Sequence, residues 1–188
     1  HSSPRIPIYI DYGSYPMDNF CMQKMLITFI AGLLPCCVPL IAAEGKAKVA
    51  GYEFAAPAGW KSAKPSSRMR AAQFSAGDAE VVFFYFGPSG GGGVKANVDR
   101  WMKQFQDAKN QKVESKKVGD VNITYAGATG TFVPPPFGGP KTPKKGYALL
   151  GAIVEGKEGA IFIKMIGPEA TVQANVEKMK GMVEGALK

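Results

Sequence analysis

Glu80-Val-Val-Phe-Phe-Tyr-Phe-Gly87 decides the fold. Every residue from Val81 to Phe86 is apolar, and β-branched and aromatic types dominate, so the stretch reads as a strand with no solvent-facing side. Such a strand belongs inside a sheet that is covered on both faces. Gly77-Asp78 ahead of it is turn chemistry, and Arg68-Met-Arg-Ala-Ala-Gln-Phe-Ser75 before the turn is a second strand. A first short strand, Lys48 to Ala56, ends at Pro57-Ala58-Gly59-Trp60.

Working toward the C-terminus, Gly87 to Gly93 is a loop, after which Val94, Val98, Trp101, Met102 and Phe105 fall on one helical face. The spacing predicts a helix over 94–107. Lys112–Gly119 and Val121–Val133 read as two more strands, and Pro134 to Gly146 as a long loop rich in Pro, Gly and Lys. Tyr147–Glu155 and Ala160–Gly167 are apolar runs joined by Gly156-Lys157-Glu158-Gly159, which predicts a hairpin. Gly167-Pro168-Glu169 opens a final helix, with Val172, Val176, Met179, Val183 and Leu187 on one face.

This order predicts an α+β domain: an antiparallel sheet of about six to seven strands flanked by two helices, one on each face. Its expected core includes Phe54, Trp60, Val82, Phe84, Trp101, Phe105, Leu149, Ile153, Ile161, Ile163, Val176 and Val183.

The strand ending in Phe54-x-x-Pro57-x-Gly59-Trp60, the following Arg70-Ala-Ala-Gln-Phe74, and the closing hairpin with Gly167-Pro168 and a C-terminal helix resemble PsbP-like domains. The resemblance spans most of residues 47–187 and rests on packing motifs. It implies a sandwich of an antiparallel sheet between helices, in a family that includes small exported bacterial proteins, and it carries over no functional residue.

The N-terminal region reads as targeting. Residues 1–21 are expected to be an upstream or disordered segment. Residues 22–43 carry Lys24, an uncharged apolar run from Met25, and the small residues Ala42 and Ala43 ahead of Glu44. That is the order of a signal peptide cleaved near Ala43. A membrane anchor through 25–43 is the rival, since about 20 apolar residues can span a bilayer. Residues 44–188 then form the single domain, expected outside the cytoplasm in a periplasmic or extracellular space.

Chemistry is constrained by what the body lacks. The only His is His1, and Cys21, Cys36 and Cys37 all precede Glu44, so thiol, imidazole, zinc, haem and iron–sulfur chemistry are excluded from residues 44–188. The pairs Asp78/Glu80 and Glu155/Glu158 flank turns, where carboxylates are ordinarily solvated. Gly91-x-Gly93-x-x-Ala96 follows a strand and opens a helix, as in a dinucleotide fingerprint, but no parallel βαβ unit surrounds it. It reads as a flexible connection, with Gly91 and Gly93 at most a weak anion site. No metal, cofactor or catalytic group is expected.

Basic residues are the remaining signal. The two acidic and two basic residues ahead of Glu44 cancel, so the body carries the whole net charge of +8. Lys61, Lys64, Arg68 and Arg70 cluster after Trp60, and Lys141, Lys144 and Lys145 cluster in the Pro-rich loop. Such clusters attract an anionic partner: an acidic lipid, a cell-envelope polymer or an acidic protein, with nucleic acid not expected after export. Set against this is a solvated face that serves solubility. The expected function is an exported, non-catalytic binding or accessory domain. The alternative is a small-ligand carrier or a His-free hydrolase with a hidden pocket.

Overall fold

The computed structural model describes residues 45–135 and 142–188. The segments expected to be upstream sequence and signal peptide, and Lys141, lie outside them. Seven strands form one sheet: β3 (Lys61–Ser62), β4 (Ala72–Ala76), β5 (Ala79–Tyr85), β9 (Gly159–Pro168), β8 (Lys144–Gly156), β7 (Val121–Phe132) and β6 (Phe105–Val118), in that spatial order. Every pairing is antiparallel. The chain leaves β5, crosses one face through α1 (Val94–Met102), and starts again at the far edge with β6. It then meanders back through β7, β8 and β9 until β9 pairs with β5.

The expected α+β sandwich is present. On one face β1 (Lys46–Val49), β2 (Tyr52–Ala55), α2 (Glu169–Ala174) and α3 (Val176–Gly185) cover a core that includes Phe54, Trp60, Phe83, Ile163, Met179 and Val183. On the other face α1 buries Val98 and Trp101 against Ala126, Leu149, Ile153 and Phe162. Strand alternation deals residues to both layers: in β8, Leu149 and Ile153 face α1, while Leu150, Ala152 and Val154 face the layer of α2 and α3. β5 is interior, as its apolar run requires.

Several boundaries differ from the sequence reading. The first strand is a hairpin, in which Ala50 and Gly51 turn at φ 46° and 78° and Val49 pairs with Tyr52. Positive φ at both central positions suits the twist of a tight hairpin, and an alanine there gives no sequence signal. The second strand begins at Ala72, not Arg68. The helix from Val94 stops at Met102, not 107. Phe105 instead pairs with Phe132 and packs on its ring at 5.4 Å, so sheet pairing overrides the helical period while burial survives. Asp107 and Asn110 take φ 52° and 50° at irregularities in β6. The final helix is broken at Asn175, and the long loop is shortened because Lys144 and Lys145 begin β8. Of the expected core, Phe84 and Val176 are half-buried and the other ten are buried.

Candidate functional site

The basic residues occupy two patches. Lys61 on β3, with Lys64 and Arg68 after it, is exposed at one edge of the sheet. Lys144 and Lys145 are exposed at the start of β8, where the Lys144 ammonium lies 5.1 Å from the centre of the Tyr147 ring. Four strand steps separate β3 from β8 in the sheet, or roughly 19 Å, so the fold does not merge the patches. None of these five cations forms an ion pair with a described residue. Arg70 is different. Its guanidinium turns inward, donating to Glu80 Oε1 at 2.6 Å and to Gln73 Oε1 at 2.9 Å.

The glycine loop is fastened from below. The side-chain amide of Asn97, itself buried, donates to the carbonyls of Gly91 at 2.8 Å and Gly93 at 3.0 Å. Gly91 adopts φ 88°, and a Cβ there would lie 2.3 Å from the Phe162 ring. Close approach to an aromatic ring accounts for this glycine. Gly93 is the N-cap of α1 and has open space around it. Asn97 was not singled out from sequence, because a lone Asn in an amphipathic helix reads as part of its polar face.

Sequence reasoning also missed a cleft of about 490 Å³ between β6, β7 and α3. Glu114 and Lys116 reach it from β6, Tyr125 from β7, and Glu177, Lys180 and Glu184 from α3. Lys180 pairs with Glu114 at 2.5 Å and Lys116 with Glu184 at 2.7 Å, while the Tyr125 hydroxyl donates to Glu184 Oε1 at 3.3 Å. Hydrogen bonds from Lys112 and Lys180 hold the Glu114 carboxyl down at about 2. Burial, reinforced by the Glu184 carboxylate, pushes the Tyr125 hydroxyl well above its ordinary value. Two carboxylate–lysine pairs and the tyrosine hydrogen bond thus clamp α3 to the sheet edge. The charges lie at alternate positions of a strand and one face of a helix, a pattern that in sequence looks like ordinary solvated surface.

A second cleft, of about 430 Å³, lies beside Trp60, whose Nε1 donates to Asn175 Oδ1 at 2.8 Å. Small residues and Lys178 complete its lining. Among the described residues no group of three His, Cys, Asp or Glu side chains is placed to hold a metal ion, and no helix is long and apolar enough to cross a membrane.

No protein-family model matches the chain, and no curated protein matches it. Among solved structures, the chain is similar to cyanobacterial PsbP (CyanoP) from Synechocystis sp. PCC 6803, with 16% identity and a TM-score of 0.52 over 81% of this chain and 96% of that one. The likeness is one of fold, and at that level it agrees with the resemblance read from Phe54 to Trp60 and from the closing hairpin. A Pseudomonas aeruginosa protein of unknown function also aligns, at 11% identity and a TM-score of 0.41, over 74% of this chain and 93% of that one.

Proposed function

With a PsbP-like fold as the premise, we propose that this chain is an exported, non-catalytic accessory domain that meets an anionic partner through its exposed cations. The observation that carries the reading is the state of Lys61, Lys64, Arg68, Lys144 and Lys145: all are exposed, and none is neutralised by a described carboxylate. Unneutralised surface cations attract acidic surfaces over several ångströms and lose that attraction as salt rises. Export is supported by the order of Lys24, the apolar run from Met25, and Ala42-Ala43. The partner that fits best is an acidic lipid surface, because it offers many anionic groups at once to two separated patches.

Flotation with vesicles containing an anionic phospholipid tests this. Wild-type protein should bind at low salt and release as salt approaches physiological strength. Lys144→Glu with Lys145→Glu should reduce binding by at least about thirtyfold, since each lost cation forfeits roughly 1 kcal/mol and the new carboxylates add repulsion. Equal binding by wild type and the double variant would overturn the reading. Export is checked separately by the intact mass of protein recovered outside the cytoplasm, which should correspond to a chain beginning at Ala43 or Glu44.

A further inference from the structure

Lys164 sits mid-sheet on the face that α1 covers. Register places Gln73, Val82, Lys164 and Gly151 side by side across β4, β5, β9 and β8. The Lys164 ammonium donates to Gln104 Oε1 at 2.7 Å and lies 5.6 Å from the Trp101 ring centre. An ammonium carries three protons, so this one retains capacity for a further acceptor. On the other side of Val82, Gln73 and Arg70 both donate to Glu80 Oε1, at 2.8 and 2.6 Å. Arg100, beside Trp101 on α1, donates through Nη2 to Asn97 Oδ1.

The charges that act on Lys164 from its neighbours on this face are two cations, Arg100 and Arg70, opposed by the carboxylate of Glu80. Burial first, and then the charges of Arg100 and Arg70, hold the Lys164 amine down to about 8, with Glu80 opposing them. Like charges crowded on a partly desolvated surface are unfavourable in the absence of an anion, and an anion would relieve them. A guanidinium and an ammonium are also the groups that bind oxyanions best.

We propose that Lys164, Arg100 and Arg70 form a site for a tetrahedral dianion, a phosphoryl or sulfuryl group. The cluster's surplus of two positive charges matches such a group. Phe84 is the diagonal neighbour of Lys164 across β5 and β9, and Phe86 stacks near it, with ring centres 6.3 Å apart. The site stands apart from Lys144 and Lys145, and its existence does not depend on their meeting a membrane.

Titration of the full chain by NMR or calorimetry, with sulfate, inorganic phosphate and phenyl phosphate at matched low ionic strength, tests the site. Saturable binding is expected, weakened about tenfold in Lys164→Gln and in Arg100→Gln, the loss of one charge-assisted hydrogen bond. Arg100 is exposed, so its variant remains informative if Lys164→Gln folds poorly. Lys144→Glu with Lys145→Glu should leave this binding unchanged, which separates the site from membrane attraction. Sulfate keeps its charge across the range, so its binding should fall as pH rises from about 7 to about 9.5 and the ammonium loses its proton. Tighter binding of phenyl phosphate than of phosphate identifies an esterified phosphoryl group, whereas equal binding identifies a free anion; both support the site. Absence of saturable binding by all three anions, or binding indifferent to both variants, overturns it.

Discussion

Trp101 and Gly151 are fitted to each other: a side-chain carbon on Gly151 would come within 2.2 Å of the indole ring. The contact docks α1 onto β8 at the centre of its layer, and Trp101 is only 3% exposed. Truncation of Trp101 to Ala should cost about 3–5 kcal/mol. Gly151→Ala should cost about 1–3 kcal/mol, because a packed ring must move. In the double variant the alanine methyl enters space vacated by the ring, so the two losses should sum to more than the combined effect. Urea denaturation of the four proteins measures the cycle. A loss below about 1 kcal/mol for Trp101→Ala would mean that another residue anchors α1.

Asn175 holds the break between α2 and α3. Its amide donates to the Thr171 carbonyl at 2.8 Å, and its Oδ1 receives the indole N–H of Trp60, which is 115 residues away in sequence. Asn175→Ala removes both bonds and leaves a buried indole without an acceptor. The expected cost is about 1–3 kcal/mol. Trp60→Phe removes the donor as well, so adding Asn175→Ala to it should cost less than in wild type. Denaturant midpoints of these variants decide the point, and full additivity would refute the coupling.

Legibility in the sequence followed the range of the interaction. β5, β8 and β9 were readable because burial on both faces leaves a continuous apolar run. The segment around Phe105 was not, because its helical spacing from Trp101 is satisfied equally by a strand pairing with Phe132. Asn175 presents no breaker signal by itself; its partner Trp60 is remote in sequence. The cleft under α3 was hidden for the same reason. Glu114 and Lys180 are ordinary surface residues until folding pairs them, and Lys164 looked like one polar residue in the apolar run Ile161–Ile166. The exposed cations were legible as two clusters of charge, and the sheet order keeps those clusters apart.

Gly181 lies inside α3 with a helical backbone and open space where a Cβ would sit. Glycine there carries the entropic cost of ordering its backbone without compensation from packing. Gly181→Ala should therefore stabilise the domain by about 0.5–1 kcal/mol. Thermal unfolding should show a higher midpoint with an unchanged cooperative transition. Gly181 also lines the cleft of Glu114, Lys180 and Glu184, so a neutral or lower midpoint would indicate that the added methyl disturbs those ion pairs.

Lys164 should leave a signature in the pH dependence of stability. Its amine is held at about 8 in the folded protein, chiefly by burial, against an ordinary value of 10.5 when unfolded. Between those values the unfolded chain binds more protons than the folded one, so stability must rise with pH. The unfavourable contribution is fully present below about 8 and is relieved as the folded amine deprotonates. Tyr125 and Lys112, both raised in the fold, act in the opposite sense, but only above their ordinary values of 10.0 and 10.5. The informative window therefore runs from about 7.5 to about 10, where the gain should be about 2 kcal/mol at 1.36 kcal/mol per unit. Urea midpoints in chloride buffers should climb across this window for wild type and stay flat for Lys164→Met. A flat wild-type profile would mean that Lys164 keeps its ordinary proton affinity, and that the crowding of Arg70 and Arg100 around it is fully screened by solvent.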